Sequence, residues 1–175
     1  MENLKKYIVL WLSQSISQLG SSMTAFSFIL WIYEQTHSAL SISIISFCNY
    51  VPYILTSIFV GTFVDNHRKK SVMLVSDCVA AIVSLFALFF LMAGNLSVWH
   101  IYIINIIVGV STAFQQPASS VAIAKIVPKD KLSNVSGMNS FSSNLVIVFS
   151  PMLAAVIFSI GGLPLILLFD LFSFA

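Results

Sequence analysis

Charged residues are scarce in this chain: they make up 8% of its 175 residues, against 58% that are hydrophobic. A soluble domain keeps about a quarter of its residues charged, so this sequence lacks the means to cover a surface facing water. A surface facing hydrocarbon needs no charge. Cysteine is nearly missing as well. Cys48 and Cys78 both fall inside apolar stretches, without the paired spacing of a metal site or a secreted disulfide framework, and they read as small buried hydrophobes. His37, His67 and His100 are dispersed, which argues against a metal cluster and against a Ser-His-Asp arrangement. No glycine-rich phosphate loop is present. Neither a cofactor nor an enzymatic activity is expected. The net charge of +2 comes from short basic clusters between apolar runs rather than from a patch, which argues against nucleic acid as a partner.

What the chain has in place of charge is long hydrophobic runs and fifteen phenylalanines. The hydrocarbon core of a bilayer is about 30 Å thick and takes about 20 apolar residues of helix to cross. Segments of that length run over residues 7–33, 39–64, 71–93, 97–124 and 136–160. A sixth, residues 163–175, is expected to reach about 20 Å at 1.5 Å per residue and not to cross alone. The start, Met1-Glu2-Asn3-Leu4-Lys5-Lys6 followed by apolar sequence to Tyr33, is too long for a signal-peptide core. It reads as a signal-anchor and first spanning helix.

Basic residues set the orientation, because cytoplasmic loops carry an excess of Lys and Arg. All eight Lys and Arg residues lie on one side: Lys5 and Lys6, then Arg68, Lys69 and Lys70, then Lys125, Lys129 and Lys131. The opposite connections hold none. A multi-pass protein of the cell membrane with a cytoplasmic N-terminus is expected. Every loop is short, so sequential helices are antiparallel neighbours and any function lies within the bundle.

Polar side chains inside apolar segments are costly in lipid and therefore informative. Gln14, Ser17, Gln18 and Ser21 are spaced i, i+3, i+4 and i+7 and share one helix face, with Ser22 and Thr24 widening the stripe. Helix 5 carries Ser136, Asn139, Ser140, Ser142, Ser143 and Asn144; helix 4 carries Asn105 and Gln115-Gln116-Pro117; helix 2 carries Asn49 and Pro52. Two readings stand for these faces: lining of an aqueous cavity, or hydrogen bonding between packed helices. Gln14, Gln18, Asn105 and Asn139 are the candidate cavity-lining residues. Two carboxylates also lie within apolar segments. Asp77 is expected to form a structural or gating ion pair, with Lys125 or the Arg68 cluster, and Asp170 is a candidate for carrying a proton.

The turn between helices 2 and 3 reads Gly61-Thr62-Phe63-Val64-Asp65-Asn66-His67-Arg68-Lys69-Lys70. It resembles the signature loop of the major facilitator superfamily, Gly-x-x-x-Asp-Arg-x-Gly-Arg-Arg/Lys. Gly61, Asp65 and Lys70 match, Lys69 replaces Arg conservatively, and Asn66 and Arg68 depart. The resemblance implies a gating loop of Gly61, Asp65, Arg68, Lys69 and Lys70, with Asp77 beside it, that latches two halves in one state of a transport cycle. Helix 5 resembles, in degraded form, the exporter signature Gly-x8-Gly-x3-Gly-Pro: Gly137 and Pro151 match, and Ser150 and Val146 stand for glycines. A kink at Gly137, Ser150 and Pro151 is implied by that likeness. Alignment of Gly109 with the Arg-x-x-Gln-Gly pattern of helix 4 puts Asn105 where proton-coupled antiporters often carry Arg. Longer stretches, from Leu30 to Ala39, Gln116-Pro117-Ala118, Ile126-Val127-Pro128 and Phe169 to Phe174, resemble the branch of macrolide-efflux permeases and enterobactin exporters.

The resemblance implies an all-α membrane protein: the N-terminal six-helix bundle of a major-facilitator-type transporter, spanning residues 1–175, truncated within helix 6 and lacking its C-terminal bundle. Its partners would be the bilayer, a small-molecule substrate, protons as coupling ion, and the missing C-terminal half. The expected activity is proton-coupled efflux of small amphiphilic compounds such as drugs or siderophores. The alternatives are an inactive truncated fragment and a non-transporting membrane scaffold or receptor-like bundle.

Overall fold

A computed structural model of the chain describes residues 2–127 and 132–174, with the side chains of residues 2–7, 9, 10, 65, 124–126 and 132 outside the description. The architecture is all helical: α1 (Glu2–Thr36), α2 (Ala39–Asn66), α3 (Lys69–Met92), α4 (Val98–Ile126) and α5 (Leu132–Ser173). Four stretches among the described residues are long and apolar enough to cross a membrane: Ala39–Val64, Lys69–Met92, Val98–Ile123 and Ser133–Ser173. α1 is not among these four, although it is helical throughout, because Gln14, Ser15, Ser17, Gln18 and their neighbours dilute its apolar residues.

The helix boundaries reflect local chemistry. α1 ends where His37 takes a positive φ of 46° and the Ser38 N–H donates to Thr36 Oγ1. His67 and Arg68 are both extended and form the whole α2 to α3 connection. After α3, Gly94 at φ 68° lets Gly94 N and Asn95 N reach back to the carbonyls of Leu91 and Phe90, a left-handed cap of the kind glycine permits. The expected helices 5 and 6 form one element, so the count among the described residues is five and not six. The reason is a break of a single residue. Gly162 has φ 65° and ψ −165°, a region open to glycine alone. Pro164, preset for a first helical turn, comes two residues later. Residues 132–161 and 163–173 are thus the proximal and distal arms of α5.

Burial is inverted relative to a soluble protein. Phe172, Phe59 and Trp99 are at least 74% exposed, while Thr24, Ser27, Ser150 and Asp170 are at most 5% exposed. In water such a surface of large apolar side chains would be an association site; in hydrocarbon it is the solvated surface.

The chain divides into two compact units. One comprises residues 28–119. Within it α2 and α4 run parallel, joined by Tyr102 Oη donating to the Ser41 carbonyl at 3.2 Å, Asn49 Nδ2 donating to the Asn105 carbonyl at 3.5 Å, and Tyr53 Oη donating to Gln116 Oε1 at 2.8 Å. The helices approach closely at Gly109, where a Cβ would collide with the Asn49 carbonyl oxygen. The other unit comprises residues 1–27 and 120–175. There α1 packs through Trp11 against the cluster of Val127 and Val135 and through Met23 against Ala154 of the proximal arm and Ile166 of the distal arm.

Because Gly109 faces backbone and not a yielding side chain, Gly109→Val is expected to force α2 and α4 apart. The cost is about 1–3 kcal/mol, visible as a lower melting temperature of the detergent-solubilised protein. Gly137→Ala, where a Cβ meets nothing within 4 Å, leaves the melting temperature unchanged.

Candidate functional site

The unit built from residues 1–27 and 120–175 holds the carboxylate with the least access to solvent among the described residues. Asp170, on the distal arm of α5, is 1% exposed. Its Oδ1 accepts from Ser21 Oγ at 3.2 Å and its Oδ2 from Thr24 Oγ1 at 3.0 Å, so both oxygens are held by hydroxyls of α1. Hydrogen bonds to a charged acceptor are about twice as strong as neutral ones, and in a water-poor interior their loss is costly.

This approach depends on Gly20. A Cβ there would lie 2.9 Å from Asp170 Oδ1, 3.2 Å from Asp170 Cα and 2.7 Å from Ser173 Oγ. The missing side chain lets the distal arm settle against the α1 backbone. Ser173 closes the arrangement by donating from Oγ to the Asp170 carbonyl at 2.6 Å. Gly20, Ser21 and Thr24 occupy i, i+1 and i+4, a small-residue face of the sort that brings membrane helices together.

On another face of α1, a groove of about 300 Å³ runs between α1 and the proximal arm, lined by Trp11, Leu12, Ser15, Ile16 and Leu19 and by Ser142, Leu145, Val146 and Phe149. Its polar bridge joins Ser15 Oγ to Ser142 Oγ at 2.6 Å. Ser15 gives its own hydrogen to the Trp11 carbonyl at 2.7 Å, so Ser142 is the donor. The groove is otherwise apolar.

The residues expected to line a polar cavity do not line this groove. Gln18 is exposed and Gln14 and Asn139 are half-buried, and none of the three is among the residues lining the groove. Asn105 belongs to the other unit and is buried. Its Nδ2 donates to the Ile101 carbonyl at 2.9 Å, one turn back on its own helix.

The expected gating residues lie around the α2 to α3 connection, in residues 28–119. Gly61 is exposed and a Cβ on it would meet nothing within 4 Å, so the close approach that a glycine permits is not used by the described residues. Asp65 belongs to the last turn of α2, with its side chain outside the described residues. Arg68 is the N-cap of α3, its carbonyl accepting from Ser71 N and Val72 N; Lys69 is half-buried and Lys70 exposed. Asp77 accepts from Gln115 Nε2. Its described partner is thus a neutral amide in place of the basic group expected, and Lys125 has its side chain outside the described residues. On α5, Gly137 is exposed, whereas Ser150 is 1% exposed; the Ser150 hydroxyl finds no partner among the described residues. Pro151 comes next within the helix.

Comparison with known proteins accords with this architecture. Residues 10–175 match the Major Facilitator Superfamily, and the chain belongs to that family. It is similar to Macrolide efflux protein A of Streptococcus pyogenes, 27% identical over 165 residues that cover 94% of this chain and 41% of that protein. The protein of the same name from Enterococcus faecalis is 28% identical over 131 residues, covering 75% of this chain and 40% of the relative. The chain therefore spans about two fifths of the length of these curated relatives. No solved structure matches it.

The Gly20 contact yields a specific expectation. Gly20→Ala destabilises the detergent-solubilised protein by about 1–3 kcal/mol, read as a fall in melting temperature. Adding Ser173→Ala, which removes the nearest obstructing atom, restores part of the loss, since the Asp170 backbone remains in the way.

Proposed function

We propose that this chain is one helical bundle of a secondary transporter that exports small amphiphilic compounds, such as drugs or siderophores, in exchange for protons. The observation that carries the reading is the similarity to two macrolide efflux proteins over most of the chain. The bundle has the physical properties the activity needs. Its helices are apolar outside, yet they carry amides, hydroxyls and carboxylates within the spans, and intramembrane ionisable residues are characteristic of substrate and proton pathways. Transporters of this kind work by rocking one bundle against another about a site near the bilayer midplane.

In this reading Gln14, Gln18 and Asn139 face the pathway, while Asn105 stabilises helix 4. Gly61, Asp65, Arg68, Lys69 and Lys70 form the gating loop at the cytoplasmic surface, with Asp77 at the next two turns of α3. Asp170 is the candidate for the coupling proton. The basic clusters favour an N-terminus in the cytoplasm, in the cell membrane.

The test uses the complete reading frame that includes this chain, expressed in a bacterial host stripped of its own exporters. Cells carrying it are expected to accumulate less of a radiolabelled macrolide than cells without it, and a protonophore should abolish the difference. Equal accumulation for macrolides and for other amphiphilic compounds defeats the assignment in favour of a non-transporting bundle. Asp65→Asn is expected to insert normally and to cut transport at least about tenfold, the scale set by losing an interaction worth about 1.4 kcal/mol in one state of the cycle. Transport at the original rate removes Asp65 from the gating role. Finally, Gln18→Cys is expected to react with a membrane-impermeant thiol reagent in at least one transport state, and protection in all states places it against protein or lipid.

A further inference from the structure

Asp170 differs from the other described intramembrane carboxylate in the kind of group that holds it. Asp77 faces an amide N–H, which donates and cannot accept through the same atom. Asp170 faces two hydroxyls, and a hydroxyl has one hydrogen to donate and two lone pairs with which to accept. We propose that Asp170 carries the coupling proton and that Ser21 and Thr24 are its positioning residues, completing the hydrogen bonds of the carboxyl group in both of its protonation states. The inference rests on the proton-coupled reading given above.

The chemistry of a hydroxyl allows the exchange of roles that such a switch requires. With Asp170 as a carboxylate, both hydroxyl hydrogens point at its oxygens. When a proton from water forms an O–H bond on Oδ2, that O–H becomes a donor and Thr24 Oγ1 accepts from it through a lone pair. The Thr24 hydrogen then needs a new acceptor. Hydroxyls within helices commonly use the carbonyl of residue i−4, a bond that neither Thr24 nor Ser21 makes while turned to Asp170. Three other hydroxyls of α1 already make this bond, Ser15 to the Trp11 carbonyl at 2.7 Å, Ser27 to the Met23 carbonyl at 2.7 Å and Thr36 to the Ile32 carbonyl at 2.8 Å. A buried polar group left unsatisfied costs about 1–3 kcal/mol, which sets the scale of what the two hydroxyls contribute.

Over the stretches of α1 and α5 that enclose the pair, no other titratable side chain occurs. Residues 8–27 of α1 and residues 133–174 of α5 contain none besides Asp170. The charged residues of the same unit that remain, Glu2, Lys5, Lys6, Lys125, Lys129, Asp130 and Lys131, have side chains outside the described residues. Gly20 contributes by holding the carboxylate at the hydroxyls, as its Cβ position lies 2.9 Å from Oδ1.

The test is infrared difference spectroscopy on the purified full-length protein, taken between acid and alkaline buffer, beside uptake driven by a proton gradient in proteoliposomes. A carboxyl C=O band that responds to pH is expected in the unaltered protein and is lost in Asp170→Asn. In Thr24→Val, which keeps the shape and removes the hydroxyl, the band persists at higher wavenumber, because the carboxyl group has lost a hydrogen bond. Uptake there falls at least about tenfold while substrate binding is unchanged, and Thr24→Ser restores both band and uptake. A merely structural role for Thr24 leaves the wavenumber where it was. Survival of the full band in Asp170→Asn overturns the inference, as does an unmoved band in both Thr24→Val and Ser21→Ala. Failure of the underlying reading looks different: the unaltered protein shows no gradient-driven uptake, although the band responds to pH.

Discussion

A polar group taken into hydrocarbon has to be matched from inside the protein, since no water is there to match it. The helical backbone does this for itself, and the side chains of this chain meet the same demand in two ways. Some turn back on their own helix, as Ser15, Ser27, Thr36, Asn105 and Thr112 do toward carbonyls one turn earlier. Others reach a neighbouring helix: Asn49, Tyr53, Gln115, Ser21 and Thr24. The second group carries the specificity of packing. Apolar side chains gain little from choosing one another over lipid, whereas a hydroxyl or amide that meets the wrong helix is left without a partner.

Glycine works under the same constraint. Gly20 and Gly109 sit where a polar atom of another segment occupies the space a side chain would take, Asp170 Oδ1 in one case and the Asn49 carbonyl in the other. At both positions, hydrogen bonds across the helix pair accompany the close approach. Gly162 serves conformation and not proximity: its positive φ allows α5 to break without a loop of exposed backbone groups.

Most of the helical architecture was legible in the sequence, because hydropathy and segment length report the same physical quantity, the thickness of hydrocarbon to be crossed. Residues 39–64 and 97–124 fall close to α2 and α4 as they stand. α1 begins earlier than its apolar run, since Lys5 and Lys6 end hydropathy but do not end a helix. The separation of helices 5 and 6 was legible as a glycine pair but not as a break of one residue, because a glycine leaves its own φ open and the packing of the distal arm selects it. The candidate site was legible only in its parts. Asp170 stood out as an acid in an apolar run, and Ser21 and Thr24 as members of a polar stripe, yet nothing local to either segment says that they meet. Asn105 shows the converse: an amide within a span satisfies a cavity or its own helix equally well, and the choice belongs to its surroundings. The motif glycines Gly61 and Gly137 meet no neighbour among the described residues, while Gly20, outside any motif, lies in close contact with the carboxylate.

The pairing of α1 with the distal arm also has a consequence for biosynthesis. Ser21 and Thr24 are separated from Asp170 by 149 and 146 residues, so α1 leaves the ribosome long before its partner exists. Its stripe of amides and hydroxyls must wait in the membrane or beside the insertion machinery while α2, α3 and α4 are made. The distal arm enters after them, bringing a carboxylate that lipid alone would reject, and it finds a waiting face of hydroxyls with a glycine notch. α1 is thus both an early segment to be inserted and the template that makes insertion of the distal arm favourable.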